Sequence, residues 1–365
     1  MIVEFLLCVL LISNAYSISI DCSNIINLAQ GLGIMTQQPT IWTELLTDCC
    51  ITNGVSCVSQ RVSQINWSSM TLNGFLNGTA LPSGLQELDL YSNQLTGPLP
   101  SSWPNGLQIL NLNSNRLSGF LPRSWPSNLQ IVYLYSNQLT GSVSSTWPNG
   151  LLQLNLGSNQ LTGSIPSTWP NGLQQLNLGV NSLDGHIPSI WPSNLQELDL
   201  YSNQLTGSIP GSWPNGLQQL NLGANQLTGS IPSTWPNTLQ ALYLYSNYLS
   251  GDISSLPSTL VDLCLGYPGD SIYNQFTGSL VLNQPQHLYI YNNLITDVIV
   301  YNASLLTGNC DLSYNPLLGD PHISNLTMCV QNGLYSVLQS ITKTQSIASG
   351  FQTKLTSLSK SLKFR

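Results

Sequence analysis

A 22-residue unit running from Leu85 to Gly106, LQELDLYSNQLTGPLPSSWPNG, recurs seven more times without a gap. Its first Leu returns at Leu107, Leu129, Leu151, Leu173, Leu195, Leu217 and Leu239, and its Asn at every step from Asn93 to Asn247. A strict period of this length restricts the chain to architectures in which each unit buries its apolar face against the next, that is, to a solenoid. Leu88 and Leu90 stand two apart, so in an extended segment both point to one side while Asp89 and Tyr91 point to the other. One strand per coil follows, and stacked coils make a parallel sheet with Leu inside and the alternate positions on a solvent-facing concave surface. The Asn after each strand carries the donors and acceptor needed to satisfy turn backbone on neighbouring coils, which predicts a buried Asn ladder.

The pattern L-x-x-L-x-L-x-x-N-x-L resembles the leucine-rich repeat, and the following L-T-G-x-[IL]-P resembles its plant-type variant. Upstream, Trp42, the double Cys49-Cys50 and Gly54-Val-Ser-Cys57 resemble the N-terminal cap of the same family. The resemblance covers roughly residues 22 to 330 and is to polygalacturonase-inhibiting proteins and receptor-like ectodomains. It implies a repeat solenoid, mostly β within the α/β class: a right-handed leucine-rich-repeat superhelix with a parallel β-sheet on its concave face and disulfide caps. It further implies the pairings Cys22–Cys49 and Cys50–Cys57. Trp-Pro-Asn-Gly is this chain's own signature. Trp103 and its six successors are read as convex-side core residues, the alternative being an exposed ladder that stacks on sugar rings.

Residues 1–17 read as a secretory signal peptide, with the apolar run at 5–12 followed by Ala15 and Ser17; the run is too short to span a bilayer, and no later segment does so. Residues 18–61 form an N-terminal cap containing a short helix over 24–35. Residues 62–309 hold about ten coils of period 22, the first irregular one placing Val62, Ile65, Trp67 and Leu72 inside. In the coil that begins at Leu260 the Asn is delayed to Asn274, so the extra residues of Gly266–Tyr273 are predicted to loop out at the sheet rim. Residues 310–332 give the last repeat and a cap in which Cys310 and Cys329 suit a disulfide, and 333–365 a basic amphipathic or disordered tail. Asn66, Asn77, Asn302 and Asn325 head N-glycosylation sequons. Cys264 is the odd cysteine. Its place between Leu263 and Leu265 predicts an exposed thiol, open to a disulfide-linked dimer.

Only 6% of residues are charged, and Arg61, Arg116 and Arg123 are the only basic residues before the tail, so an acidic solenoid excludes nucleic acid as a natural partner. His186, His287 and His322 lie in different coils; no nucleophile elbow, metal-ligand pair or phosphate loop appears, so no catalytic residue, metal or cofactor is expected. Asp89 and Asp199 are predicted about 24 Å apart, too far for a glycosidase pair. What remains is the concave strip. One column reads Asp89, Asn111, Tyr133, Asn155, Asn177, Asp199, Asn221, Tyr243, and its neighbour places Tyr91, Asn113, Tyr135, Tyr201 and Tyr245 among glycines. Tyr, Asn and Asp suit recognition of an extracellular protein, peptide or polysaccharide. Near-identical duplication of one unit would by itself produce part of this pattern. The resemblance implies a secreted or cell-wall-associated binding protein in defence, wall biology or extracellular signalling. With no kinase motif in the sequence, signalling would need a partner. The rival is an ice-binding or structural cell-wall protein using Thr96, Thr140, Thr162, Thr206 and Thr228 as a ladder, which Ser118, Asp184 and Ser250 interrupt.

Overall fold

The structure is a computed structural model that describes residues 20–302, 304, 306 and 310–317. The expected signal peptide, the Asn325 sequon, Cys329, His322 and the basic tail lie outside the described residues. The chain divides into two compact units, residues 1–183 and 184–365.

The first unit opens with a helical cap. One helix was expected; three form, Ile20–Gly31, Ile34–Gln37 and Pro39–Thr47, because Gly33 breaks the first run with φ 81° and Pro39 fits the first position of the last helix. Ile25, Leu28, Leu32 and Ile34 are fully buried. Cys22 is bonded to Cys49 and Cys50 to Cys57. Buried Asp21 accepts from Arg61 Nε at 3.1 Å and from the Val62 N–H at 3.3 Å, which joins the cap to the first coil by a charge-assisted bond. Val55–Val58 pairs antiparallel with Arg61–Asn66, and every later strand of this sheet in the unit adds in parallel: Glu87–Asp89, Ile109–Asn111, Ile131–Tyr133, Gln153–Asn155 and Gln175–Asn177. The register is one coil to the next with no slip, Leu88 against Leu110 and Asn111 against Tyr133. A second parallel sheet runs through Thr96–Pro98, Arg116–Phe120, Gln138–Ser142 and Gln160–Ser164.

The second unit repeats the plan. Glu197–Asp199, Gln219–Asn221, Ala241–Tyr243, Asp262–Gly266, His287–Ile290 and Cys310–Asp311 form its leucine-strand sheet. Thr206–Gly207, Gln226–Ser230, Tyr248–Asp252, Gln275–Leu282 and Leu294–Val300 form the second. Cys310 is disulfide-bonded.

Two kinds of burial hold each stack. The leucines that flank the strand positions are at or near 0% exposure, from Leu88 and Leu90 to Leu242 and Leu244, each contributing on the order of 2 kcal/mol. The tryptophans pack on the other side, with Trp103, Trp147, Trp191 and Trp213 buried. Neighbouring indoles stack at centroid separations of 6.2 Å (Trp103–Trp125), 5.2 Å (Trp125–Trp147) and 6.4 Å (Trp191–Trp213). Their faces are thus covered by one another, which favours the core reading over sugar stacking.

The asparagine ladder closes the backbone. Asn137 donates through Nδ2 to Leu134 O (3.1 Å) and, one coil back, to Leu112 O (3.0 Å), while its Oδ1 accepts the Leu117 N–H (3.0 Å). Asn225 repeats this with Leu222 O, Leu200 O and Leu205 N. The delayed Asn274 still reaches Leu244 O and Leu249 N, so the insertion leaves the ladder intact. These bonds hold the preceding residue in the left-handed region, Ser136 at φ 56° and Ala224 at φ 51°, a conformation that a non-glycine residue keeps only when its surroundings over-determine it. We expect Asn137→Ala, which orphans several buried backbone groups, to lower stability by about 2–4 kcal/mol. The same change at Asn159, which is half-buried, should lower it less. Urea unfolding midpoints of the two variants measure this, and equal losses would count against burial as the cause.

Candidate functional site

The alternate positions of the leucine strands do face solvent. In the first unit Asp89, Asn111, Tyr133, Asn155 and Asn177 are half-exposed and Tyr91 and Tyr135 exposed; in the second Asp199, Tyr201, Asn221, Tyr243 and Tyr245 are half-exposed. The Asn and Asp of the central column each have one oxygen engaged, however. Asp89 Oδ1 accepts the Tyr91 N–H at 2.9 Å, Asn155 Oδ1 the Gly157 N–H at 3.0 Å and Asn177 Oδ1 the Gly179 N–H at 2.9 Å. In the second unit Asp199 and Asn221 hold Tyr201 and Gly223 the same way, at 2.9 and 3.1 Å. Each side chain therefore builds a turn two residues on, an assignment the sequence reading missed although the D-x-Y and N-x-G spacing carries it. Burial raises the Asp199 carboxyl above its ordinary value against the lowering effect of that N–H. Asn113 is drawn in likewise, its Oδ1 accepting the Tyr135 N–H at 2.6 Å.

The tyrosines are the large side chains of this face, and the glycines of the adjacent column make room for them. A Cβ on Gly223 would lie 2.7 Å from Tyr245 Cε1. Only hydrogen there lets the Tyr245 ring lie across its coil and meet Tyr201, two coils back, with centroids 5.9 Å apart. Burial, then the nearby Tyr201 hydroxyl and Cys264, push the Tyr245 phenol well above the ordinary tyrosine range.

On the same face of the second unit lies a cavity of about 550 Å³. Tyr201, Tyr243 and Tyr245 line one part of it, and Tyr267, Tyr289, Asp262, Asp270 and His287 the rest. The insertion is an ordered turn: Asp270 N–H donates to Tyr267 O (3.3 Å), Tyr267 N–H donates to Asp270 Oδ2 (3.2 Å), and Gly269 has φ 97°, the geometry that Pro268-Gly269 favours. The turn sets Tyr267 against Tyr289 with centroids 5.1 Å apart. His287 Nδ1 pairs with Asp262 Oδ1. Tyr289 continues the central column on the Leu288–Ile290 step and was legible there. Tyr267 and Asp270 stand outside the period, and no spacing rule assigns them.

Cys264 corrects the sequence reading. It has the expected register, opposite Tyr243 and Tyr289, yet it is only 5% exposed. The two flanking tyrosines and the inserted turn enclose it on the cavity floor, and burial pushes its thiol up to about 12. It is not in a disulfide, and the route to a dimer through an exposed thiol is closed.

The threonines of the second sheets do not face one another across neighbouring strands. Thr140 stands opposite Gln160 and Thr162 opposite Ser142 in the first unit; Thr206 stands opposite Gln226 and Thr228 opposite Tyr248 in the second. The Thr140 and Thr206 hydroxyls donate to Gly119 O and Gly185 O, both at 3.3 Å.

The family model described as Leucine Rich Repeat matches residues 84–105, 106–127, 150–171, 194–215 and 216–237. Among solved structures, that of a TDR receptor is 24% identical at a TM-score of 0.54, covering 75% of this chain and 54% of that one. The PEPR1–AtPEP1 structure is 25% identical at a TM-score of 0.52, covering 76% and 52%. A plant ice-binding protein is 24% identical at a TM-score of 0.53, covering 70% and 93%. The chain thus spans about half the length of the TDR receptor and PEPR1–AtPEP1 structures.

A thiol whose pKa rises from 9.0 to about 12 holds at pH 8 roughly a thousandth of the thiolate of an ordinary one. Labelling of Cys264 in the native protein, followed by peptide mapping, should accordingly be roughly 10³-fold slower than in the urea-unfolded chain. Rates within tenfold of each other would mean that the turn does not cover it.

Proposed function

We propose that this chain, five segments of which match the Leucine Rich Repeat model, is an extracellular binding protein of the plant leucine-rich-repeat type, not a catalyst, which recognises a protein or peptide through the solvent face of its leucine-strand sheets. The observation that carries this is the ordered presentation of tyrosines on that face: Tyr133, Tyr135, Tyr201, Tyr243, Tyr245 and Tyr289 stand half-exposed or exposed on, or directly after, strands paired in parallel with their neighbours. Tyrosine offers large contact area with little side-chain entropy to lose, plus a polar tip. The two cap disulfides support an oxidising, extracytosolic compartment. No helix among the described residues is long and apolar enough to cross a membrane, so in this reading a signal would pass through a separate membrane partner. The role is one in defence, wall biology or extracellular signalling.

An ice-facing threonine ladder is opposed by the stagger of the second sheets and by the engaged hydroxyls. The likeness to the ice-binding protein extends to the fold alone.

Replacing Tyr133, Tyr135, Tyr243 and Tyr245 by Ala should abolish capture of the partner that the native protein retains from extracellular extract or on immobilised wall polysaccharide, with the circular dichroism unchanged. Retention of the same partner by the variant would remove this face as the site. Retention on polysaccharide in place of protein would replace the partner class. Purified protein at millimolar concentration is expected to show no thermal hysteresis.

A further inference from the structure

The geometry points to the cavity of the second unit as the seat for one arginine side chain of an extracellular peptide. This rests on the reading of the sheet face as a binding surface and names what it recognises. The observation is a cavity with aromatic walls and carboxylates at its edge, and with no cation of its own beyond a histidine already engaged. The Tyr201–Tyr245 pair stands towards one side and the Tyr267–Tyr289 pair towards the other, at centroid separations of 5.9 and 5.1 Å within each pair. Asp262 and Asp270 both line the space. Asp262 is paired with His287, whereas Asp270 accepts the Tyr267 N–H through Oδ2 and has no lysine or arginine partner among the lining residues.

The surroundings sharpen the imbalance. Between residues 184 and 317 the sequence holds eight Asp and Glu and no Lys or Arg, so a cation entering the cavity meets no positive side chain of this segment. A guanidinium satisfies both features of the cavity at once. It is planar, weakly hydrated and stacks on aromatic faces, and its fork of N–H donors matches a carboxylate. A volume of about 550 Å³ lies in the range of sites that enclose a small molecule and admits the side chain together with the peptide backbone that carries it. An anionic group would face two carboxylates and developing repulsion from the tyrosine π-faces, and a purely apolar one would leave Asp270 without a cation.

The arrangement also gives the insertion a task. Without residues 267–270 the position would be an ordinary strip of Tyr243, Cys264 and Tyr289; with them, one more ring and one more carboxylate stand over it. The ordered turn places both before any ligand arrives, which lowers the entropy lost on binding.

The test uses the full chain and two capped probes of nearly equal shape, the cationic N-acetyl-arginine amide and the neutral N-acetyl-citrulline amide, titrated by ligand-observed saturation-transfer NMR. The arginine probe should bind about tenfold more tightly than the citrulline probe, since only the former carries charge. Asp270→Asn should weaken the arginine probe by about five- to tenfold and leave the citrulline probe unchanged, and Tyr267→Ala should weaken the arginine probe to a similar extent. Thermal unfolding of each variant, unchanged from the native protein, shows that the turn alone has been altered. Equal affinity for the two probes overturns the proposal, as does an Asp270→Asn variant that loses both probes alike or neither. If partner capture depends on the strip tyrosines while the probes bind equally, the cation seat fails and the binding face stands. If capture is indifferent to those tyrosines while the arginine preference holds, the binding-face reading fails and the seat remains as a local property of the cavity.

Discussion

A strand of three residues is too short to hold a coil in place by its own ladder hydrogen bonds, and each coil here turns sharply at the strand's end, where carbonyls and N–H groups would otherwise be buried without partners. One asparagine amide per coil closes that gap. Asn137 reaches its own coil and the preceding one at both ends of its amide, so removing it affects two coils at once. The leucines supply the greater part of the burial energy, but leucines alone do not fix register. The amide does, because its donors and acceptor are satisfied in only one stacking of coil on coil. The left-handed residue before the ladder asparagines of the regular coils, the straight leucine strands and the covered tryptophans all follow from that fixed register.

A fixed register has a consequence for the solvent face. Since the regular coils pair without slip, a residue type repeated every 22 positions becomes a column, and a departure from the repeat becomes a local feature at a defined place in that column. Gly223 between Tyr201 and Tyr245 is such a departure: it lets two rings meet across an intervening coil. The insertion at 267–270 is another, adding material at the strand rim while Asn274 keeps the ladder unbroken. The first unit shows the milder form, with Tyr135 leaning towards Gly157 and the Tyr133 hydroxyl donating to Gln153 Oε1. Variation of this kind on an invariant frame is how repeat proteins acquire individual binding surfaces.

The electrostatics of the second unit's face run in one direction. Tyrosine phenols there are raised above their ordinary values first by burial and then by neighbouring acidic groups, Asp262 beside Tyr243 and Tyr267 beside Tyr289. A surface that resists further negative charge and carries no lysine or arginine among the described residues selects against anionic partners, and this selection operates before any specific contact forms.

The sequence by itself determined the coil, its strand, the inward leucines and the ladder asparagines, because all of these depend on residues one coil apart meeting the same neighbours, and a strict period guarantees that they do. It also determined which positions of the strand face solvent, including Asp89, Tyr133, Tyr201 and Tyr245. What those positions do was decided by tertiary structure. The Asn and Asp of the central column also build turns through one oxygen, since a side-chain oxygen is free or engaged according to where the N–H two residues on comes to lie. Cys264 has the outward register that alternation assigns and is nevertheless buried, because exposure depends on what stands over a position as well as on which way it points. Beside the flanking Tyr243 and Tyr289, its surroundings include Tyr267 and Asp270, residues outside the period, whose placement follows from a turn closing back over the sheet rather than from any spacing along the chain.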